Sequence, residues 1–151
     1  MSFQWIDYLT LAKELLELAK KIEQINEQQS DLNTYEAMLR SCISRAYYAS
    51  YHVAAQYLQD EKEYDLKGSN EGSHWKVIDL LQKDKDSKIR YVGKSLLDLR
   101  NARTRADYRL SCRELKTIKL VTNEAREALR ISYGIIKTLN FFLEKKLDIL
   151  K

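Results

Sequence analysis

Apolar residues recur along the chain at alternating steps of three and four, the spacing that places side chains on one face of an α-helix. The clearest stripe lies in the second quarter of the sequence and predicts a helix of about 30 residues. Its members are Tyr35, Leu39, Cys42, Ala46, Ala49, Val53 and Tyr57. The residues at the centre of the stripe are small, so neighbouring helices can approach closely, as expected for the middle helix of a bundle.

Similar patterns predict four further helices. One lies near residues 4–28, a short one begins at His74, another begins at about Lys88, and the last is the longest. The stripes of the three longer ones are Trp5, Leu9, Ala12, Leu16 and Ala19; Ile89, Val92, Leu96, Leu99 and Ala106; and Ile118, Val121, Ala125, Ala128, Ser132, Ile135, Leu139 and Phe142. The last helix exceeds about 50 Å. Because that is too long for a bundle of this size, we expect it to bend near Gly134 or to cover a second subunit.

Composition supports an all-α fold. The 151 residues include no proline and only four glycines, which favours uninterrupted helices. This length suits one domain, so we predict a single-domain helical bundle of about five helices over residues 1–151. No apolar run is long enough for a membrane span, and the first residues do not have the pattern of a signal peptide. We therefore expect a cytoplasmic protein without membrane contact.

Metal and cofactor chemistry finds little support in the sequence. Cys42 and Cys112 lack the CxxC spacing of a zinc site, and only His52 and His74 are available as further imidazole ligands. There is also no glycine-rich phosphate loop, no HExxH motif and no nucleophile elbow. We expect both cysteines to be reduced, and we expect neither a metal nor a cofactor.

Positive charge is concentrated in residues 88–113. This segment has eight basic and two acidic residues, a net charge of +6 (eight minus two), whereas the whole chain carries +4. Six of the eight basic residues are arginines, whose planar guanidinium groups bind phosphate oxygens and stack on bases. The segment is either a phosphate-binding surface or an ordinary solvated helix face.

Arg103 breaks the pattern of its own predicted helix. It lies at a position of the apolar stripe, where a charge needs a partner. Arg100, three residues earlier, and Asp107, four residues later, share its face, and Tyr108 follows directly. The sequence therefore predicts a polar patch at the end of a hydrophobic seam.

A second unusual stretch, SRAYYASYH at residues 44–52, lies on the central predicted helix. Its residues Arg45, Tyr48 and His52 line one flank, while Tyr47 and Tyr51 lie towards the opposite one. If this flank packs against the patch containing Arg103, the two form a cleft suited to a phosphate or nucleotide. Alternatively, the same residues form a satisfied buried network that fixes helix register, with His52 an ordinary core histidine.

Three segments in fixed order resemble the prokaryotic HEPN family over most of the chain. They are LRSCISRAYYASYHVAAQYL at 39–58, HWKVIDLL at 74–81 and LLDLRNARTRADY at 96–108. The pairing of SRAYYAxYH with a later RxxRxxADY is the most specific element. The resemblance implies a compact helical bundle, often a homodimer. It also implies a nucleotidyltransferase-like or antitoxin partner in toxin-antitoxin or defence systems, with many members acting as metal-independent ribonucleases.

The chain lacks one residue of the motif that nuclease members of the family carry. Nuclease members carry an arginine and a polar residue followed by a histidine, and Arg100 with Asn101 matches only the beginning of that motif. The positions at which the histidine is expected hold Arg105, Ala106 and Asp107, none of which exchanges protons near neutral pH as imidazole does.

Three readings follow from this departure. The preferred one is a non-catalytic module that binds RNA or nucleotide and docks a partner through its last helix. Its predicted binding residues are Arg45, Tyr48, His52, Arg100, Asn101, Arg103, Asp107 and Tyr108. The second reading is a divergent ribonuclease toxin with catalytic candidates His52, Arg100, Arg103 and Asp107. The third is a pure protein-interaction domain.

Overall fold

The structure, a computed structural model, describes residues 4–25, 32–64, 66, 73–108 and 115–150 and consists of five α-helices. They are α1 (Ile6–Ile25), α2 (Leu32–Lys62), α3 (Ser73–Gln82), α4 (Ser87–Tyr108) and α5 (Leu115–Leu150). The described ranges contain no β-strand, so the prediction of an all-α bundle of about five helices is confirmed. None of the described helices is both long and apolar enough to cross a membrane.

The central position of α2 explains why so much of it is buried. It packs against each of the other four helices, and every member of its predicted stripe is buried. A second buried line runs beside that stripe: Ile43, Tyr47, Ser50, Ala54 and Leu58. This second line was not predicted, because a helix covered on several sides lacks the single apolar face that periodicity detects.

The ends of α2 and α4 are clamped together by Arg40. Its guanidinium Nη1 donates a hydrogen bond of 2.6 Å to the Ala106 carbonyl of α4, while its Nε donates to Glu36 at 2.8 Å. Glu36 is itself buried, so the pair compensates its charge inside the bundle. Further along, Arg103 of α4 lies over Tyr48 of α2. The two helices therefore run antiparallel.

Buried hydroxyl groups join α2 to α5. Ser50 Oγ donates to Ser132 Oγ at 2.7 Å, and Ser132 Oγ donates to the Ala46 carbonyl at 3.0 Å. These bonds satisfy polar groups in an otherwise apolar interface. α5 remains helical through Gly134, which is exposed. The expectation that a second subunit covers this helix stays a prediction.

Candidate functional site

Seven aromatic and imidazole rings meet where the residues around the start of α1, the middle of α2 and the start of α3 come together. We call these side chains the ring cluster: Trp5, Tyr8, Tyr47, Tyr48, Tyr51, His52 and His74. Residues 47 and 51 are one helical turn apart, as are residues 48 and 52, so α2 presents two adjacent columns of rings. The unusual segment at residues 44–52 thus supplies four of the seven rings of the cluster.

His74 lies at the centre of the contacts made by the ring cluster. Its Nδ1 forms a short hydrogen bond with the hydroxyl of Tyr47, which is completely buried. Its ring also stacks on Tyr51, with centroids 4.0 Å apart and an interplanar angle of 18°. Burial lowers the pKa of His74, and the nearby charges of Arg103 and Arg100 lower it further. Burial also raises the pKa of Tyr47, so both groups are neutral at pH 7.

His52 has different neighbours. It stacks on Trp5, with centroids 3.6 Å apart and an interplanar angle of 12°, and its edge-on contact with Tyr51 has a centroid distance of 5.0 Å. Its pKa is lowered by burial and then by the charge of His74. The imidazole that senses Arg100 and Arg103 is therefore His74, whereas the sequence analysis assigned that place to His52.

Arg100 and Arg103, which we call the arginine pair, extend from α4 towards the ring cluster. The guanidinium of Arg100 lies 4.2 Å from the ring centroid of Trp75 on α3, and that indole is 51% exposed. No carboxylate of the described residues lies within ion-pair distance of Arg100. Its full positive charge is therefore held beside an accessible aromatic surface.

Arg103 is compensated, as its place on the apolar stripe requires. Its Nε lies 2.7 Å from Asp107 Oδ2, and its guanidinium lies 5.3 Å from the ring centroid of Tyr48. Both charged side chains remain partly accessible, at 25% for Arg103 and 30% for Asp107. The predicted association of Arg100, Arg103 and Asp107 on one face is thus present, and Tyr48 joins it from α2.

Three further predicted site residues make no contact with the arginine pair in the described part of the structure. Arg45 is exposed and lies over Tyr8 of the ring cluster, at 5.2 Å from the ring centroid. Asn101 is exposed in a groove between α4 and α5, because one residue along a helix turns a side chain by about 100°. Tyr108, at the end of α4, is 77% exposed. The ring cluster and the arginine pair therefore bring together fewer of the predicted residues than the sequence suggested.

A second, more polar groove of about 310 Å³ lies between α2 and α4. It is lined by Ala37, Arg40, Ser41, Ser44, Arg45, Ala106 and Asp107. We call it the Ser44 groove. It adjoins the arginine pair, because Asp107 belongs to its wall and also binds Arg103.

His74 and Trp75 were not predicted as site residues. The chain has only two histidines, and this one stands next to a tryptophan at the start of a predicted helix, directly after a polar segment. That combination in the sequence could have indicated a site residue at His74 or Trp75. Tyr47 and Tyr51 were also assigned away from the cleft, although both contact His74.

The chain was compared with protein families, curated proteins and solved structures. No protein-family model, curated protein or solved structure matches the chain. The described residues also contain no group of three or more histidine, cysteine, aspartate or glutamate side chains arranged to hold a metal ion. The chemistry of the site therefore has to be argued from its own side chains.

Proposed function

We propose that the chain is a HEPN-like module that binds RNA or a nucleotide at the ring cluster and the arginine pair. The observation that carries this proposal is Arg100, a guanidinium without a described carboxylate partner that lies 4.2 Å from the ring centroid of the half-exposed indole of Trp75. A guanidinium on an aromatic ring offers both charge for a phosphate and a surface for a base.

The combination favours single-stranded nucleic acid. Unpaired bases stack on exposed aromatic rings, and each such stack contributes about 1–3 kcal/mol to binding. Trp75 supplies the ring, and the arginine pair supplies positive charge within one turn of α4. A duplex hides its base faces and offers no equivalent stacking.

A partner protein is the second part of the proposal. The HEPN resemblance implies homodimers and partners of the nucleotidyltransferase or antitoxin type. α5 supports a docking role because it exposes large apolar side chains along its length. They are Leu120, Tyr133 and Phe141.

The decisive experiment measures binding of a fluorescently labelled single-stranded RNA by anisotropy for wild type, Arg100→Gln, Trp75→Ala and Arg105→Gln. Arg105 is the matched control, because it lies on the same helix and is exposed away from the ring cluster. We expect Trp75→Ala and Arg100→Gln each to weaken binding by at least about 1 kcal/mol. Arg105→Gln should have a smaller effect that disappears at high salt.

Equal, salt-sensitive losses in Arg100→Gln and Arg105→Gln, with no loss in Trp75→Ala, would contradict the proposal. That result would mean that RNA is attracted only by net charge, and it would favour the reading as a pure protein-interaction domain.

Metal-independent RNA cleavage is the second candidate function, and the position of His74 favours it. In the tautomer in which Nδ1 donates to the Tyr47 oxygen, Nε2 is free to accept a proton. Cleavage requires the ribose 2′-OH to lose a proton and attack the adjacent phosphorus, while the bond from phosphorus to the 5′-oxygen breaks and that oxygen takes a proton from solvent. In this candidate function His74 accepts the first proton, and the arginine pair stabilises the charge on the phosphorane.

Cleavage is tested separately from binding, with chelator present and with His74→Asn and His52→Asn as a matched pair. If the chain is a ribonuclease, His74→Asn abolishes product formation and His52→Asn retains it. The reverse result would restore His52 as the catalytic imidazole. Binding without any cleavage would leave the first proposal standing alone.

A further inference from the structure

The Ser44 groove has unused recognition chemistry outside the ring cluster. The hydroxyls of Ser41 and Ser44 make no hydrogen bond to another described residue, and Arg45 has no described ion-pair partner. Asp107 uses Oδ2 for Arg103, which leaves Oδ1 available as an acceptor. The groove therefore offers two hydroxyls, one guanidinium and one carboxylate oxygen to a ligand.

The wall of the groove is held rigidly. Arg40 is fully engaged with Glu36 and the Ala106 carbonyl, so it fixes the spacing of α2 and α4. Arg45 lies against the ring of Tyr8, which limits the directions in which its guanidinium can point. The two alanines in the lining have short side chains and therefore fill little of the groove. Such prepositioned groups lose little entropy when a ligand binds.

We propose that the Ser44 groove binds the sugar and phosphate of the nucleotides adjoining the one stacked on Trp75, so that the chain recognises a short single-stranded RNA segment. This inference rests on the proposed function and names its substrate more closely. Arg45 and the serine hydroxyls donate to phosphate oxygens, and Asp107 accepts from a ribose 2′-OH. A deoxyribose cannot make the last of these bonds, so RNA is preferred over DNA.

The dimensions agree with this path. Arg100 and Asp107 are seven residues apart on α4, which corresponds to about 10 Å along the helix. At a spacing of about 3.4 Å for each nucleotide of a stacked strand, this length corresponds to about three nucleotides. We therefore expect a mononucleotide held at Trp75 to make no contact with Arg45.

The test compares uridine monophosphate, tetrauridylate and the matched tetradeoxyuridylate as ligands in calorimetric titrations. The proteins are wild type, Arg45→Gln, Trp75→Ala and Arg126→Gln, the last being an exposed arginine on α5 that controls for net charge. We expect the tetranucleotide to bind wild type at least about tenfold more tightly than the mononucleotide, and more tightly than its deoxy counterpart.

Arg45→Gln should remove most of that tenfold gain and leave mononucleotide binding unchanged, whereas Trp75→Ala should weaken both ligands. The inference is overturned if the tetranucleotide binds no better than the mononucleotide, or if Arg45→Gln behaves like Arg126→Gln. Retained mononucleotide binding in those cases preserves the proposed function. Failure of every nucleotide to bind overturns both proposals and directs attention to an acidic protein segment.

Discussion

Gly93 and Gly134 both lie inside helices, and the same substitution to alanine is expected to change stability in opposite directions at the two positions. A β-carbon added at Gly93 would lie 2.8 Å from the backbone nitrogen of Gln82 and 3.0 Å from Cβ of Leu81. Gly93 therefore lets the end of α3 approach α4. A β-carbon added at Gly134 would meet nothing within 4 Å.

The magnitudes follow from two opposing contributions. Alanine stabilises a helix interior by about 0.5–1 kcal/mol relative to glycine, and at Gly134 nothing opposes this gain. We expect Gly134→Ala to raise the melting temperature by about 2–3 °C. At Gly93 the same gain is opposed by overpacking, which costs about 1–3 kcal/mol. Because the obstructing atom is backbone, which cannot rotate away, we expect a net loss of about 1 kcal/mol.

Urea denaturation followed by circular dichroism at 222 nm measures both changes, with the midpoint interpreted only if the slope is unchanged. The reasoning is refuted if Gly93→Ala is stabilised as much as Gly134→Ala. A destabilised Gly134→Ala would contradict the open surroundings of that residue. Sedimentation of the same samples would then show whether a second copy of the chain covers α5.

Three further predictions concern buried groups. The pKa values of His52 and His74 lie below those of the unfolded chain, so stability present above about pH 6.5 should fall as the pH decreases below that value, as measured by urea midpoints at pH 7.5 and 5.5. His74→Gln should reduce this fall. Burial raises the pKa of Cys42 to about 12, so in a Cys112→Ser background Ellman's reagent should label it only after unfolding. Ser132→Ala removes two interhelical hydrogen bonds and should destabilise the fold by about 1–2 kcal/mol without changing RNA binding.

The helices were predictable because each buries an apolar face with a regular period. The α4 stripe illustrates this, since Ile89, Val92, Leu96 and Leu99 are all buried as the spacing indicated. The central helix was predicted less completely. Its second buried line includes Tyr47, whose hydroxyl is satisfied by His74. A tyrosine buried in this way cannot be told from an exposed one by periodicity.

The sequence predicted which site residues share a face of one helix, but it did not predict which residues of other helices meet them. Arg100, Arg103 and Asp107 share a face because of fixed helical geometry, and the structure keeps them together. Which residue of α3 meets them depends on how α3 docks onto α2 and α4, and no local spacing encodes that. His74 and Trp75 were therefore missed.

The two arginines show how an irregular pattern should be interpreted. Arg103 attracted attention because it interrupts an apolar stripe, and a charge in such a position must be compensated for the bundle to fold. The structure supplies that compensation through Asp107 and Tyr48. Arg100 was predicted as a binding residue from its position in the patch and in the motif, and the structure adds that it has no described carboxylate partner and lies beside an exposed indole. An interrupted stripe thus identifies a charge that the fold must neutralise, whereas the surroundings that leave Arg100 available to a ligand depend on how α3 packs against α4.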